Sequence, residues 1–528
     1  MIWGRRDSDV RPPSVAGESE LLGAVRVAAH EACDGRWEEL HRLVEVLLEV
    51  DAVGDEVVAR SALALVAGRP GLVVRLDGHA RPAPYAQYQE PAMRRASKWF
   101  SGVSSGPVAT ALASMHGDGR IRERAVAAMV SRPCSEVMPF LVLRTADWVK
   151  PVRDGARAGL AVLLADDPAV CLPAVLPMAL RLDARLRAGF AVTQVQAAVL
   201  AVTEQVWRGV LGEGGRRERR FVFELVLTQG RLRVPDLVTL AESDPDVRLR
   251  ARAAEAACRE AVWTRRLDVL QRLARSGRPE VRVVALTGLI RAGKDADVVG
   301  HLDDDAPLVR AVARDAARRL GVDVRECYRV GVDVGEPAAG AIAGLAETGS
   351  AADAPLLQRL LGHERARVRA QAVRGLRLLD AVVPGEMAAL VRDPSPAVVQ
   401  EVTAALRPVA GALPPDLPWE LLRDGRAELR RAGYRLLRGR GVDVEVRAAL
   451  LLAVDANPRL AGRGRADATR IARDVARTTR RWTPRPELQV TGAEHAELVA
   501  LAARAAAALG AETSQQLSGW LASSRPSE

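Results

Sequence analysis

"DAPLVRAVARDAARRL", residues 305–320, reads as one amphipathic helix. Asp305 can cap its start, and Pro307 suits the first turn, where a missing N–H costs nothing. Val309, Ala313 and Ala316 fall at i, i+4 and i+7, so they share a face. Two of those three are alanine, which lets a neighbouring helix approach closely. Arg310 directly follows the first apolar residue of that face.

The pattern recurs. It reads "DGRIRERAVAAMV" (118–130), "DWVKPVRDGARAGL" (147–160), "SDPDVRLRARAAEAA" (243–257), "GRPEVRVVALTGL" (277–289), "ERARVRAQAVRGL" (364–376), "PSPAVVQEVTAAL" (394–406) and "GRAELRRAGYRLL" (425–437). Aligned on one apolar anchor, the copies give Ile121, Val152, Val247, Val281, Val309, Val368, Val398 and Leu429. From Val247 onward the spacings are 34, 28, 59, 30 and 31 residues. The longest covers two periods, with a degenerate copy at "GEPAAGAIAGLAETG" (335–349). A fixed period of about 31 residues marks a solenoid.

Ala or Gly recurs four and seven residues after the anchor, at Ala251 and Ala254, Ala285 and Gly288, or Ala372 and Gly375. Pro245, Pro279, Pro307 and Pro396 stand two residues before it. Each unit also has a second helix, as in "GKDADVVGHLDDD" (293–305) and "GSAADAPLLQRLLGH" (349–363). One such helix–turn–helix unit cannot bury its apolar face, whereas a stack of them can.

The Asp-Pro-x-Val-Arg-x-x-Ala character of these copies resembles the short HEAT repeat family, the type also called PBS-lyase HEAT-like repeats. The resemblance covers residues 115–440 directly and extends over 20–510. It implies an all-α fold, an α-solenoid of stacked helix–turn–helix HEAT-like repeats related to armadillo-type stacks. Family members serve as scaffolds, adaptors, lyase subunits and, in one branch, DNA glycosylases, so the motif speaks to fold rather than function. It also implies that the arginines after the anchor (Arg122, Arg153, Arg248, Arg282, Arg310, Arg369 and Arg430) bond acids or helix ends of the next repeat and hold the stack in register. A ladder of phosphate contacts is the competing reading.

The remainder divides into a flexible arm (1–18), N-terminal helices with an irregular stretch (19–106), the repeats (107–482), and a linker, last helix and polar tail (483–528). The irregular stretch, "HARPAPYAQYQEPAMRRASKWFSG" (79–102), carries four of the chain's 18 aromatics. It reads as a contact loop on which Tyr85, Tyr88, Arg94, Arg95 and Trp99 are candidates, because Tyr, Trp and Arg anchor interfaces. The plainer reading is a long inter-repeat loop.

Net charge is +10, with Arg outnumbering Lys 73 to 3. A GC-rich coding sequence accounts for the total. The distribution is uneven, because residues 423–481 hold 16 Arg against 7 acids. In "RADATRIARDVARTTRRW" (465–482), Arg470, Arg473, Arg477 and Arg480 form one helical stripe with Arg481 beside it. With Arg431 and Arg435 they are candidates for an anionic partner, either nucleic acid or an acidic protein face. A solvated face on a terminal cap is the plainer alternative.

No P-loop, nucleophile elbow or zincin helix occurs, and no arrangement argues for catalysis, a metal or another cofactor. The five scattered cysteines and the charged N-terminus suggest a reducing, cytoplasmic setting with no membrane. Three readings stand: a non-enzymatic scaffold binding a protein partner, a nucleic-acid-binding solenoid using 423–481, and a HEAT-like glycosylase.

Overall fold

The computed structural model describes residues 15–80, 106–183, 187–478, 488 and 490–524. Among these there are helices and turns but no strand. The chain forms two compact units, Met1–Leu237 and Val238–Glu528. The break falls inside the run that the sequence reads as one repeat region.

In the first unit the helix Val15–Glu31 already begins within the span expected to be an arm. Trp37–Val53 buries Leu40, Leu43, Val44, Leu47 and Val50, the apolar stripe of its sequence. Gly119–Ser131 and Lys150–Asp166 pack on each other. Val152, Ala156 and Gly159 face that contact and are buried. A side chain at Gly159 would overlap Val130, which is why a small residue stands there.

In the second unit one row of helices packs each on the next: Val247–Trp263, Pro279–Arg291, Pro307–Arg319, Ala339–Thr348, Ala366–Leu378, Pro396–Leu406 and Ala427–Leu437. Ala339–Thr348 is the degenerate copy. The anchors Val281, Val309, Val368, Val398 and Leu429 are all buried. The second helices of two repeats are short, Asp295–Val299 and Ala354–Gln358. Small residues receive side chains from second helices, here Leu267–Ala274 and Ala354–Gln358. A Cβ at Gly288 would lie 2.9 Å from Leu270, and one at Gly375 would lie 2.6 Å from Leu357.

One copy sits in a different register from its sequence alignment. Val247 is exposed, and the buried anchor is Leu249, followed by buried Arg250 and then Ala253 and Ala257. Pro245 misleads the alignment. In the 277, 305 and 394 copies the proline is the first helical residue, but here Asp246 caps the helix and Val247 takes that place. Arg248 is correspondingly exposed.

The C-terminal stretch also differs from expectation. Its polar tail is a second helix, Ala511–Ser523, which buries Leu517, Trp520 and Leu521 against a core shared with Gly492–Leu509 and Pro458–Thr478. Each unit is an α-solenoid of HEAT-like repeats. Among the described residues no single helix is long and apolar enough to cross a membrane.

Candidate anion-binding groove

Two kinds of arginine occupy the repeats, and the first kind is spent on the fold. Arg282 donates from Nη1 to the Ser276 carbonyl at 2.8 Å and forms a two-pronged pair with Asp304 at 2.8 and 2.6 Å. Asp304 in turn accepts the Ala306 amide at 2.8 Å, fixing the turn that starts the next helix. One Arg–Asp pair thus ties a helix, the turn before it and the turn of the next repeat.

Arg369 repeats this with Asp393 (both bonds 2.9 Å), and Arg430 with Asp455 (2.7 and 2.9 Å). Arg122 does so with Asp147, where both side chains are fully buried. Arg250 reaches Glu280 instead, and Arg310 reaches Glu347 from the degenerate copy. Arg153 bonds the carbonyls of Asp147 and Trp148. Where the repeat has Val399 in place of the arginine, Arg426 of the next repeat donates to the Asp393 carbonyl.

Burial alone would push the Asp304 and Asp393 carboxyls up, but their arginines and turn amides outweigh it and hold both below the usual range. At Asp455 the Arg430 hydrogen bond is the leading cause of the same lowering.

The second kind is exposed. A groove of about 770 Å³ lies where Ala427–Leu437, the end of Pro396–Leu406 and the start of Pro458–Thr478 come together. Arg407, Arg431, Arg435, Arg438, Arg459 and Arg463 line it, with Glu445. Two of them, Arg431 and Arg435, were candidates from sequence. The other four are new. Arg407 and Arg438 hold the same position of successive repeats, nine residues after their anchors, so the aligned repeat already contained the signal.

Arg463 donates to Asp467 at 2.7 Å. Among the described residues the other five have no ion-pair or hydrogen-bond partner for their side chains. Glu445 does not serve them, because it accepts from Arg470 at 3.1 Å and from the Gly439 amide at 2.9 Å. Beneath the groove the Tyr434 hydroxyl donates to buried Asp467 at 2.6 Å. Burial first, and then the Asp467 carboxylate, push that phenol well above its ordinary range.

Of the expected arginine stripe, Arg470 and Arg473 lie apart from this groove and line a hollow of their own. Arg470 is held by Glu445, by Asp474 at 3.4 Å and by Asp467 at 3.8 Å. Thr469, Glu512 and Gln516 line that hollow with the two arginines. The Arg477 side chain, Arg480 and Arg481 lie outside the described residues, as do Tyr85, Tyr88, Arg94, Arg95 and Trp99. No group of three or more His, Cys, Asp or Glu among the described residues is placed to hold a metal ion.

No family model matches the sequence. No curated protein matches it either. Among solved structures it is similar to Kap121p, with 12% identity and a TM-score of 0.27 over 87% of this chain and 57% of that one. It is also similar to the karyopherin Kap121p bound to the extreme C-terminus of the protein phosphatase Cdc14p (12% identity, TM-score 0.30, 96% of this chain and 63% of that one). Importin beta is a third (12% identity, TM-score 0.28, 94% and 68%). The chain spans less than two thirds of the Kap121p chains it matches. Likenesses at these TM-scores do not bear on what this chain binds, and the fold rests on its own helix pairs and Arg–Asp ladder.

Proposed function

We propose that this protein is a non-enzymatic scaffold that holds an acidic segment of a protein partner in the 403–463 groove. The observation that supports it is the division of labour among arginines. Ladder arginines are paired with carboxylates or turn carbonyls, while five in the groove have no partner among the described residues. Unpaired cations converging in one concavity form a site for anions.

Nucleic acid is the second reading, because residues 423–481 carry most of the chain's excess positive charge. Two labelled probes separate the readings, a glutamate-rich peptide and a single-stranded oligonucleotide, titrated at low and moderate salt. The expected outcome is peptide binding that weakens with salt and is lost in an Arg431→Ala/Arg435→Ala variant. A variant that binds the peptide as well as wild type, or a wild type that prefers the oligonucleotide, overturns the reading.

A further inference from the structure

Volume and charge together narrow what fills the groove. Six arginines against one glutamate leave its lining with an excess of five positive charges around about 770 Å³. Arg431 with Arg435, and Arg459 with Arg463, stand at i,i+4, a spacing at which like charges destabilise a helix. The choice of arginine over lysine says nothing here, since it holds throughout the chain. What marks the groove is that, among the described residues, no carboxylate answers five of its six arginines, Arg463 alone being paired with Asp467, whereas in the ladder Arg282, Arg369 and Arg430 each face one.

A carboxylate brings one charge. On an extended segment alternate side chains face opposite ways, so five carboxylates on one face need about nine residues, or roughly 30 Å of chain. A phosphoryl group brings about −1.5 to −2 at pH 7, so about three of them neutralise the lining. The guanidinium fork also bonds phosphate in two-pronged fashion.

We propose that the groove reads phosphorylation: its occupant is a partner segment carrying clustered phosphoserine or phosphothreonine. This rests on the reading above, that the partner is a protein. Nucleic acid also carries phosphates, but single strands are held through exposed aromatic side chains on which bases stack. Tyr434 is the one aromatic lining this groove, and it is buried with its hydroxyl committed to Asp467.

The test uses the full chain and three labelled probes: a short peptide with three phosphoserines, the same peptide with glutamate at those positions, and a single-stranded oligonucleotide. The phosphopeptide is expected to bind at least about tenfold more tightly than the glutamate peptide, because its charge is denser and its bonding two-pronged. Arg435→Ala/Arg459→Ala should abolish that preference, and Arg435→Lys, which keeps the charge but loses the fork, should reduce it. Variants Arg291→Ala and Arg319→Ala, in another inter-repeat groove, should leave it unchanged. Equal affinity for the two peptides overturns the phosphate inference and leaves the acidic-partner reading standing. Tighter binding of the oligonucleotide, or no peptide binding at all, overturns both.

Discussion

Arg430 and Arg431 are neighbours in the chain with opposite fates. Arg430 turns toward the stack, where Asp455 and two turn carbonyls take its hydrogen bonds. Arg431 points into the groove and has no partner among the described residues. One step around the helix separates a residue that builds the fold from one free to bind. The grooves show the same contrast. Between Pro279–Arg291 and Pro307–Arg319, a hollow of about 460 Å³ contains Arg319, but Asp315 one turn away pairs with it at 2.9 Å. Stacking makes a groove between successive repeats. It becomes a candidate site where the acids are missing.

The contrast is broken most severely on the inner side. Arg122→Ala removes the two-pronged partner of buried Asp147 and leaves Arg144 as its remaining guanidinium, and losing hydrogen bonds to a buried charge of this kind costs about 1.5–3 kcal/mol. Denaturant unfolding should show that loss, and a change below about 1 kcal/mol would remove the ladder's structural role.

Acid should next break another Arg–Asp cluster that is spent on the fold. Asp353 accepts the Ser350 amide and the side chains of Arg325 and Arg329. Burial opposes its ionisation, but these bonds outweigh it and hold the carboxyl at about 2. A carboxyl lowered in the folded state stabilises above its unfolded pKa, near 4, and loses that contribution as pH falls from about 4 toward about 2. Stability of the wild type should therefore drop across this window, and Asp353→Asn should flatten the drop while lowering stability at neutral pH. Identical acid profiles for the two proteins contradict this assignment.

Much of this was legible in the sequence. The period and the anchors Val281 to Leu429 follow from residues that recur at fixed offsets, and the ladder role of Arg282, Arg310, Arg369 and Arg430 is what the family resemblance implied. Register failed where one proline took an unusual place. Pro245 precedes the cap instead of opening the helix, so Val247 stood in for Leu249 and Arg248 for Arg250. The binding surface was partly readable. Arg431 and Arg435 were found by charge density, but pairing across repeats has no local signature. Arg470 looked as free as Arg431 until Glu445, 25 residues away, proved to hold it. Arg459 and Arg463 reach the groove by the folding of the stack, which a count of charges along the chain does not display.

The most direct test of the division between building and binding arginines is thermal unfolding of Arg431→Ala/Arg435→Ala beside wild type, each with and without the phosphoserine peptide. Ligand at about 100-fold its Kd stabilises a protein by about 2.7 kcal/mol. The account predicts that without peptide the variant's midpoint is no lower than the wild type's, and that peptide raises the midpoint of the wild type alone. A lower midpoint for the variant alone, or the same rise in both proteins, would contradict it.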